Sequence, residues 1–408
     1  MHLTRRELLE LSAMLVVAPP SDAFEARAAE IIRAYSGEGH HRTATAVDRT
    51  SADALLARAR ATGARVVLEP FDLSRVEPAA AFLQIDGRRI DGLPMFDGAF
   101  TGPAGVRGHI GPIDGDQPIA WTRIAPNGEA ALRRMREGSR HTAIVAVTIG
   151  GKPGLCPVNA AWFSEPFGPP VLQVSSEQLA ALEAASASHL EAQVVADATR
   201  ARAHAFNVEC EIRGTDPALP PVCVMTPRSG WHANASERGG GLVCWLEAMR
   251  SVMHPAVSGL SRSGALPRTV RFIASSGHEL GHLGLHDYLH RHPSLAGGAF
   301  AWVHFGANIG TSTGDVGMTP SDDRLRDAAL LALTPHGLGH IRQSPSAQVF
   351  GEAGTISEQG GRFISFIGAN AWFHNPNDLW PDAVDVAAVA RFARAAADLT
   401  LQLAMMPA

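Results

Sequence analysis

The order of elements along this chain predicts an α/β fold, a mostly parallel sheet flanked by helices that carries an inserted β-rich domain. Three observations support it. After residue 200, apolar strand-like runs alternate with helical stretches. Between residues 78 and 195, short apolar runs are broken by Gly, Pro and Asp. The chain closes on a long amphipathic pattern, AVDVAAVARFARAAADLTLQLA.

Taken in order, the N-terminal Thr4-Arg5-Arg6 with Leu8, Leu9 and Met14–Val17 has the outline of a twin-arginine export signal. Glu7 and Glu10 interrupt its apolar part, so an amphipathic helix through Leu8, Leu9, Leu11 and Leu15 is the better expectation. FEARAAEIIRAY and SADALLARARAT read as helices, Gly63 as a helix stop, and ARVVLEPF as a strand. AFLQIDG, PMFDG, PIAWTRI, TAIVAVTIGG and PPVLQVSS then give a turn-punctuated β module that ends in the helix EQLAALEAA. AFNVECEIRG and PPVCVMT are strands, GGGLVCWLEAMRSV a helix, TVRFIAS a strand, HLGLHDYLHRH a helix, and AWVHFGANIG and RFISFIG strands. The expected division is 1–77, helical and part of the main domain; 78–195, the β-rich insert; and 196–408, the α/β domain. In such sheets the site gathers at the carboxyl ends of strands. Here those ends are Thr226–Trp231, Gly277–His282, Phe305–Gly310 and Trp372–Asp378.

Composition narrows the function. The 408 residues are 46% hydrophobic and 18% charged, enough apolar material for a sizeable core. The net charge is −5, and no Lys/Arg block points to nucleic acid. No run is long enough to span a membrane. Cys156, Cys210, Cys223 and Cys244 lack metal or disulfide spacing and suit reduced thiols in a cytoplasmic protein. A homo-oligomer is compatible with this composition.

The motif that invites chemistry is Gly277-His278-Glu279-Leu280-Gly281-His282-Leu283-Gly284. Its HELGH core has three readings. In a zincin, His278 and His282 on one helix bind zinc and Glu279 is the base. A histidine-rich surface helix explains the same letters without function. The third reading takes Gly277, Glu279, Gly281 and Gly284 as the Gly-Glu-Glu-x-Gly-Leu-x-Gly frame at a strand end. Asn207-Val208 with Ile212-Arg213-Gly214, Glu237–Gly241 before Trp245-Leu246-Glu247, and Phe373-His374-Asn375-Pro376-Asn377-Asp378 enter the same resemblance.

On these motifs the chain resembles the di-zinc aminopeptidase family (clan MH, relatives of bacterial leucyl aminopeptidase and glutamate carboxypeptidase). The stretch 78–195 resembles the protease-associated insert that many members carry. The resemblance implies the aminopeptidase α/β fold and hydrolysis of a small peptide or amide substrate by a metal-activated water. Placed residue by residue, Glu279 and His374 are metal ligands, Glu237 replaces the bridging Asp, and His278 replaces the general-base Glu. The family's first His and Asp fall within Thr226–Trp231, where neither stands, and its second Asp falls at Ala307 or Asn308. His282, three residues after Glu279, offers a substitute ligand. The expectation is therefore one zinc ion held by Glu237, Glu279, His282 and His374. Arg228, Ser229, Trp231, Arg238 and Asn308 are the expected substrate-binding residues. Gly239–Gly241 reads either as a phosphate-cradling loop or as a site of close helix packing. The alternative from another class is a non-catalytic binding protein that keeps the fold.

Overall fold

The computed structural model describes residues 21–255 and 265–406. The export-signal and first-helix expectations for residues 1–20 lie outside them. Among the described residues no helix is long and apolar enough to cross a membrane.

Thirteen strands form one connected sheet: β1 (Val66–Ile85), β2 (Arg88–Pro94), β3 (Val106–Pro112), β4 (Ile119–Ile124), β5 (Ala143–Thr148), β6 (Val171–Val174), β7 (Glu191–Ile212), β8 (Val222–Pro227), β9 (Val270–Ser275), β10 (Ala301–Phe305), β11 (Val316–Pro320), β12 (Arg342–Gln343) and β13 (Phe363–Gly368). The central strands run β7-β9-β8-β10-β13-β11-β12, with β9, β8, β10 and β13 mutually parallel. Parallel strands joined by helices are covered on both faces, and VCVMTP and AWVHF are accordingly buried along their whole length. One face packs on the helices Ala235–Met253 and Val386–Met405, around Trp245, Phe272, Phe305 and Phe392. The other face packs on Leu283–Arg291 and Glu352–Glu358, around Trp302, Leu285 and Ile356.

The stretch expected as a turn-punctuated β module contains a run of parallel strands. Strands β3, β4, β5 and β6 are parallel neighbours, and a helix, Glu129–Arg136, crosses from β4 to β5. β1 and β7 are long antiparallel arms that leave the central sheet together. At their far ends β1 pairs with β2 and β7 with β3, so the ladder β1-β2-β6-β5-β4-β3-β7 closes on itself. Closure leaves this part without a free edge. It has its own apolar core of Leu83, Ile110, Val145, Leu172 and Val194. The expected boundaries at 78 and 195 fall inside β1 and β7, which run unbroken from one core to the other. The ladder is irregular between Pro78 and Ala80. Proline has no N–H to give a ladder, and such irregularities bend strands.

A further cluster, Phe71, Phe96, Ala160, Phe163, Trp231 and Leu280, binds the insert to the ends of β8 and β9. The Gly239–Gly241 triplet serves helix packing. A Cβ at Gly240 would lie 1.8 Å from the Ile309 carbonyl oxygen, so only glycine lets this helix meet the loop after β10.

Candidate functional site

The helix that follows β8 starts at Ala235, and Asn234 ahead of it has a left-handed backbone, φ 51°. Its first amides are capped from a distance. Asp378 Oδ1 accepts from Ser236 N at 2.8 Å and Ser236 Oγ at 2.7 Å, and Oδ2 accepts from Glu237 N at 3.0 Å. A carboxylate suits a helix N-terminus, where unpaired amides and the positive end of the dipole meet. This cap ties the 372–378 loop to Glu237 and brings His374 beside it. His374 N donates to Glu237 Oε2 at 3.2 Å, and His374 Nε2 lies 3.6 Å from Glu237 Oε1. The Nδ1 of His374 donates to the Pro157 carbonyl at 2.6 Å, which leaves Nε2 facing Glu237.

Arg238 completes this centre. Its Nη2 is 2.8 Å from Glu237 Oε1, and its Nε donates to the Ser229 carbonyl at 2.8 Å. Both side chains of the pair have no exposed surface. Nη1 and Nη2 of Arg238, Oε1 of Glu237 and Nε2 of His374 are all buried without a hydrogen-bond partner.

HELGH is not a helix. His278–Leu280 form a single 3-10 turn between left-handed Gly277 and Gly281, φ 81° and 74°. The next helix begins only at Leu283, after a left-handed His282. The zincin reading fails on this backbone, although the two imidazoles end 5.0 Å apart. Glu279 faces away from Glu237. Its Oε1 accepts from Thr43 N at 2.8 Å and Thr43 Oγ1 at 2.6 Å, and its Oε2 from Ser229 Oγ at 2.6 Å. Three short donors leave this carboxylate little capacity for a cation. His282 is engaged elsewhere, with Nδ1 3.0 Å from Thr355 Oγ1.

His278 belongs to a second buried group. Its Nδ1 lies 3.7 Å from Glu352 Oε1, and that oxygen accepts a short hydrogen bond from Ser275 Oγ. His304, on β10, bonds Ser365 Oγ through Nδ1 at 2.8 Å. Nδ1 of His278, Nε2 of His304 and Oε2 of Glu352 have no hydrogen-bond partner. Burial, then the Arg238 charge, hold His278 well below the ordinary imidazole range. Burial first brings His304 down to about 4 and His282 to about 3, so all three rings are neutral at pH 7.

The expected ligand set therefore separates. Glu237 and His374 meet; Glu279 and His282 do not join them. Among the described residues no group of three or more His, Cys, Asp or Glu side chains is placed to hold a metal ion. A catalytic zinc asks for three protein ligands and an open position. Here the Glu237 carboxylate already faces a guanidinium, so the donor set does not fit zinc.

The expected substrate contacts are mostly structural. Arg228, fully buried, bonds the Asp48 carboxylate at 2.8 Å and the Phe206 carbonyl at 2.5 Å. Ser229 Oγ accepts from Gly277 N at 2.9 Å and His278 N at 3.2 Å, fixing the turn. Trp231 is buried and bonds Asn159 at 3.2 Å. Asn308 donates to the Gly368 carbonyl and accepts from Asn370, each at 2.9 Å. Of the five, Arg238 keeps two unpartnered donors, Nη1 and Nη2, and Arg228 keeps one, Nε. Sequence reasoning passed over Thr43, His304 and Glu352. Glu352 opens a helix directly after Gly351, and an acid at that position is an ordinary helix-start residue.

The insert covers the centre. Besides the Pro157–His374 bond, Ala160 N donates to the Glu279 carbonyl at 2.8 Å. Gly281 sits so close beneath that a Cβ there would lie 2.5 Å from the Ala161 carbonyl oxygen.

No family model matches this sequence, and no curated protein matches it. Solved structures do. A zinc aminopeptidase from Bacillus subtilis superposes with TM-score 0.70 at 17% identity, covering 92% of this chain and 93% of that one. An aminopeptidase from Aneurinibacillus sp. strain AM-1 gives 0.69 at 15% identity, with 94% and 96% covered. A Peptidase M28 precursor from Shewanella amazonensis gives 0.74 at 15% identity, with 95% and 96% covered. The chain is similar to these proteins over nearly its whole length and has their fold.

Proposed function

We propose that this chain uses the aminopeptidase fold as a metal-independent binding protein for a small polar molecule. The observation that carries the reading is Arg238. A buried guanidinium, paired with Glu237, supplies the positive charge at the strand ends and still has two nitrogens without a hydrogen-bond partner. Buried polar groups are rarely left unpaired in a resting protein, so a ligand or ordered water is expected to meet them. Apart from the ion-pair contact between Arg238 Nη2 and Glu237 Oε1, Arg238 Nη1 and His374 Nε2 are left without a partner. A free amino acid or short peptide offers the complement, a carboxylate for the guanidinium and an amine for the carboxylate. The structural relatives named as aminopeptidases support that ligand class at the level of the fold.

One observation favours hydrolysis by a single zinc ion as a second reading. Glu237 Oε1 and His374 Nε2 face each other at 3.6 Å. That chemistry requires a third protein donor and withdrawal of Arg238.

The two readings part in one experiment. Purified protein is analysed for metal, then given amino acids and dipeptides in a thermal-shift assay and aminoacyl anilides in a turnover assay. Stabilisation by amino acids or dipeptides without bound metal or turnover supports binding. Stoichiometric metal with anilide hydrolysis overturns it in favour of the hydrolase.

A further inference from the structure

The chain holds 34 arginines and a single lysine, Lys152. That lysine lines an open cavity of about 210 Å³ between the insert and the loop that carries His374. The cavity's polar wall is Thr148, Lys152 and Ser176; its apolar wall is Ile149, Leu179 and Phe373. Lys152 lies in Gly150-Gly151-Lys152-Pro153-Gly154, and its backbone is pinned on both sides. Its N donates to the Ala371 carbonyl at 2.7 Å, and its carbonyl accepts from Asn375 Nδ2 at 2.9 Å. Gly151 permits this approach, since a Cβ there would lie 2.9 Å from the Ala371 oxygen. An exposed loop is thus held in one place, and among the described residues its ammonium pairs with no carboxylate. The Lys152 Nζ lies 5.2 Å from the centre of the Trp372 ring, a cation–π contact that keeps the charge beside the cavity. The amides of Gly150 and Gly151 make no hydrogen bond within the described chain.

We propose that this cavity binds a small organic carboxylate with an apolar body. Lys152 meets the carboxylate, and Ile149, Leu179 and Phe373 receive the body. A compact ammonium on a flexible stem suits a single anionic group, whereas a guanidinium suits a planar bidentate one. Everywhere else this chain places arginine. The volume lies below that of sites for drug-sized molecules, so the ligand is small. The cavity is separate from the buried centre but touches it, because Phe373 stacks on the His374 ring with centroids 3.9 Å apart. The proposal stands on the cavity's own residues and does not depend on whether the centre holds a metal.

The single lysine makes the test direct. Hippurate, a carboxylate on a benzoylated glycine, is the probe; neutral hippuramide and inorganic phosphate are the controls. Calorimetry is expected to show hippurate binding, weakened about tenfold or more in hippuramide and in Lys152→Gln, the loss of one charged contact. Hippurate is also expected to slow acylation of Lys152 by an amine-selective reagent, read by peptide mass mapping against the N-terminal amine. Lys152→Gln should melt as the parent does, since the side chain is exposed. Absence of hippurate binding, equal protection by hippuramide or by phosphate, or undiminished binding in Lys152→Gln each overturns the proposal.

Discussion

Replacing Arg238 by Met removes one member of an ion pair that has no exposed surface on either side. The Glu237 carboxylate then keeps one hydrogen bond, from His374 N at 3.2 Å, and loses the cation 2.8 Å from its other oxygen. Breaking a buried pair by removing one partner costs about 3–5 kcal/mol, because the remaining charge stays buried and uncompensated. Arg238→Met is expected to lose that much, and Glu237→Gln with Arg238→Met together to lose clearly less than the two single losses summed. Urea unfolding read by tryptophan fluorescence measures all four proteins, with equal slopes required before midpoints are compared. If Arg238→Met costs under about 1 kcal/mol, the guanidinium is not the cation that balances this centre and the reasoning fails.

The other predictions concern single residues. Glu279→Gln keeps the shape but weakens bonds from Thr43 and Ser229, so it should cost about 1–3 kcal/mol in the same unfolding assay and leave amino-acid affinity unchanged. A loss of affinity with unchanged stability would return Glu279 to the ligand site. Gly281→Ala places a methyl 2.5 Å from the Ala161 oxygen at a φ of 74°, so amide exchange in residues 157–163 should accelerate; unchanged exchange would show that the insert does not rest on this turn. His41 is stacked on Tyr35 and pushed from 6.5 to about 3, chiefly by burial. A depressed histidine contributes stability that is complete above pH 6.5 and is lost as pH falls from there towards 3. His41→Phe should therefore flatten the acid-side loss of stability, and an unaltered pH profile would contradict it.

Much of the fold was legible because local patterns agree with the final packing. The buried runs of β8 and β10 and the amphipathic Val386–Met405 helix could be placed from sequence alone. The parallel pairing of β3–β6 is not legible in the sequence, because parallel and antiparallel strands alike are short apolar runs between turns and only pairing separates the two cases. Pro78 reads as a breaker in the sequence, while β1 absorbs it as a ladder irregularity. At the site, the frame through Gly277, Glu279 and His374 marks loops that lie near the ends of the parallel strands. It did not reveal which way each side chain turns. Glu279 is captured by Thr43, more than two hundred residues earlier in the chain, and His278 faces Glu352 on a helix that no motif marked. Arg238 is an expected substrate contact in the sequence, and the structure pairs it with Glu237.

The central claim is that Arg238, and not a metal, balances Glu237 and His374. Elemental analysis of the purified protein after incubation with excess zinc and exhaustive dialysis tests it most directly, with Arg238→Gln measured beside it. The account predicts no stoichiometric metal in the parent protein. One or two equivalents of zinc retained by the parent, and lost on substitution of His374, would contradict it.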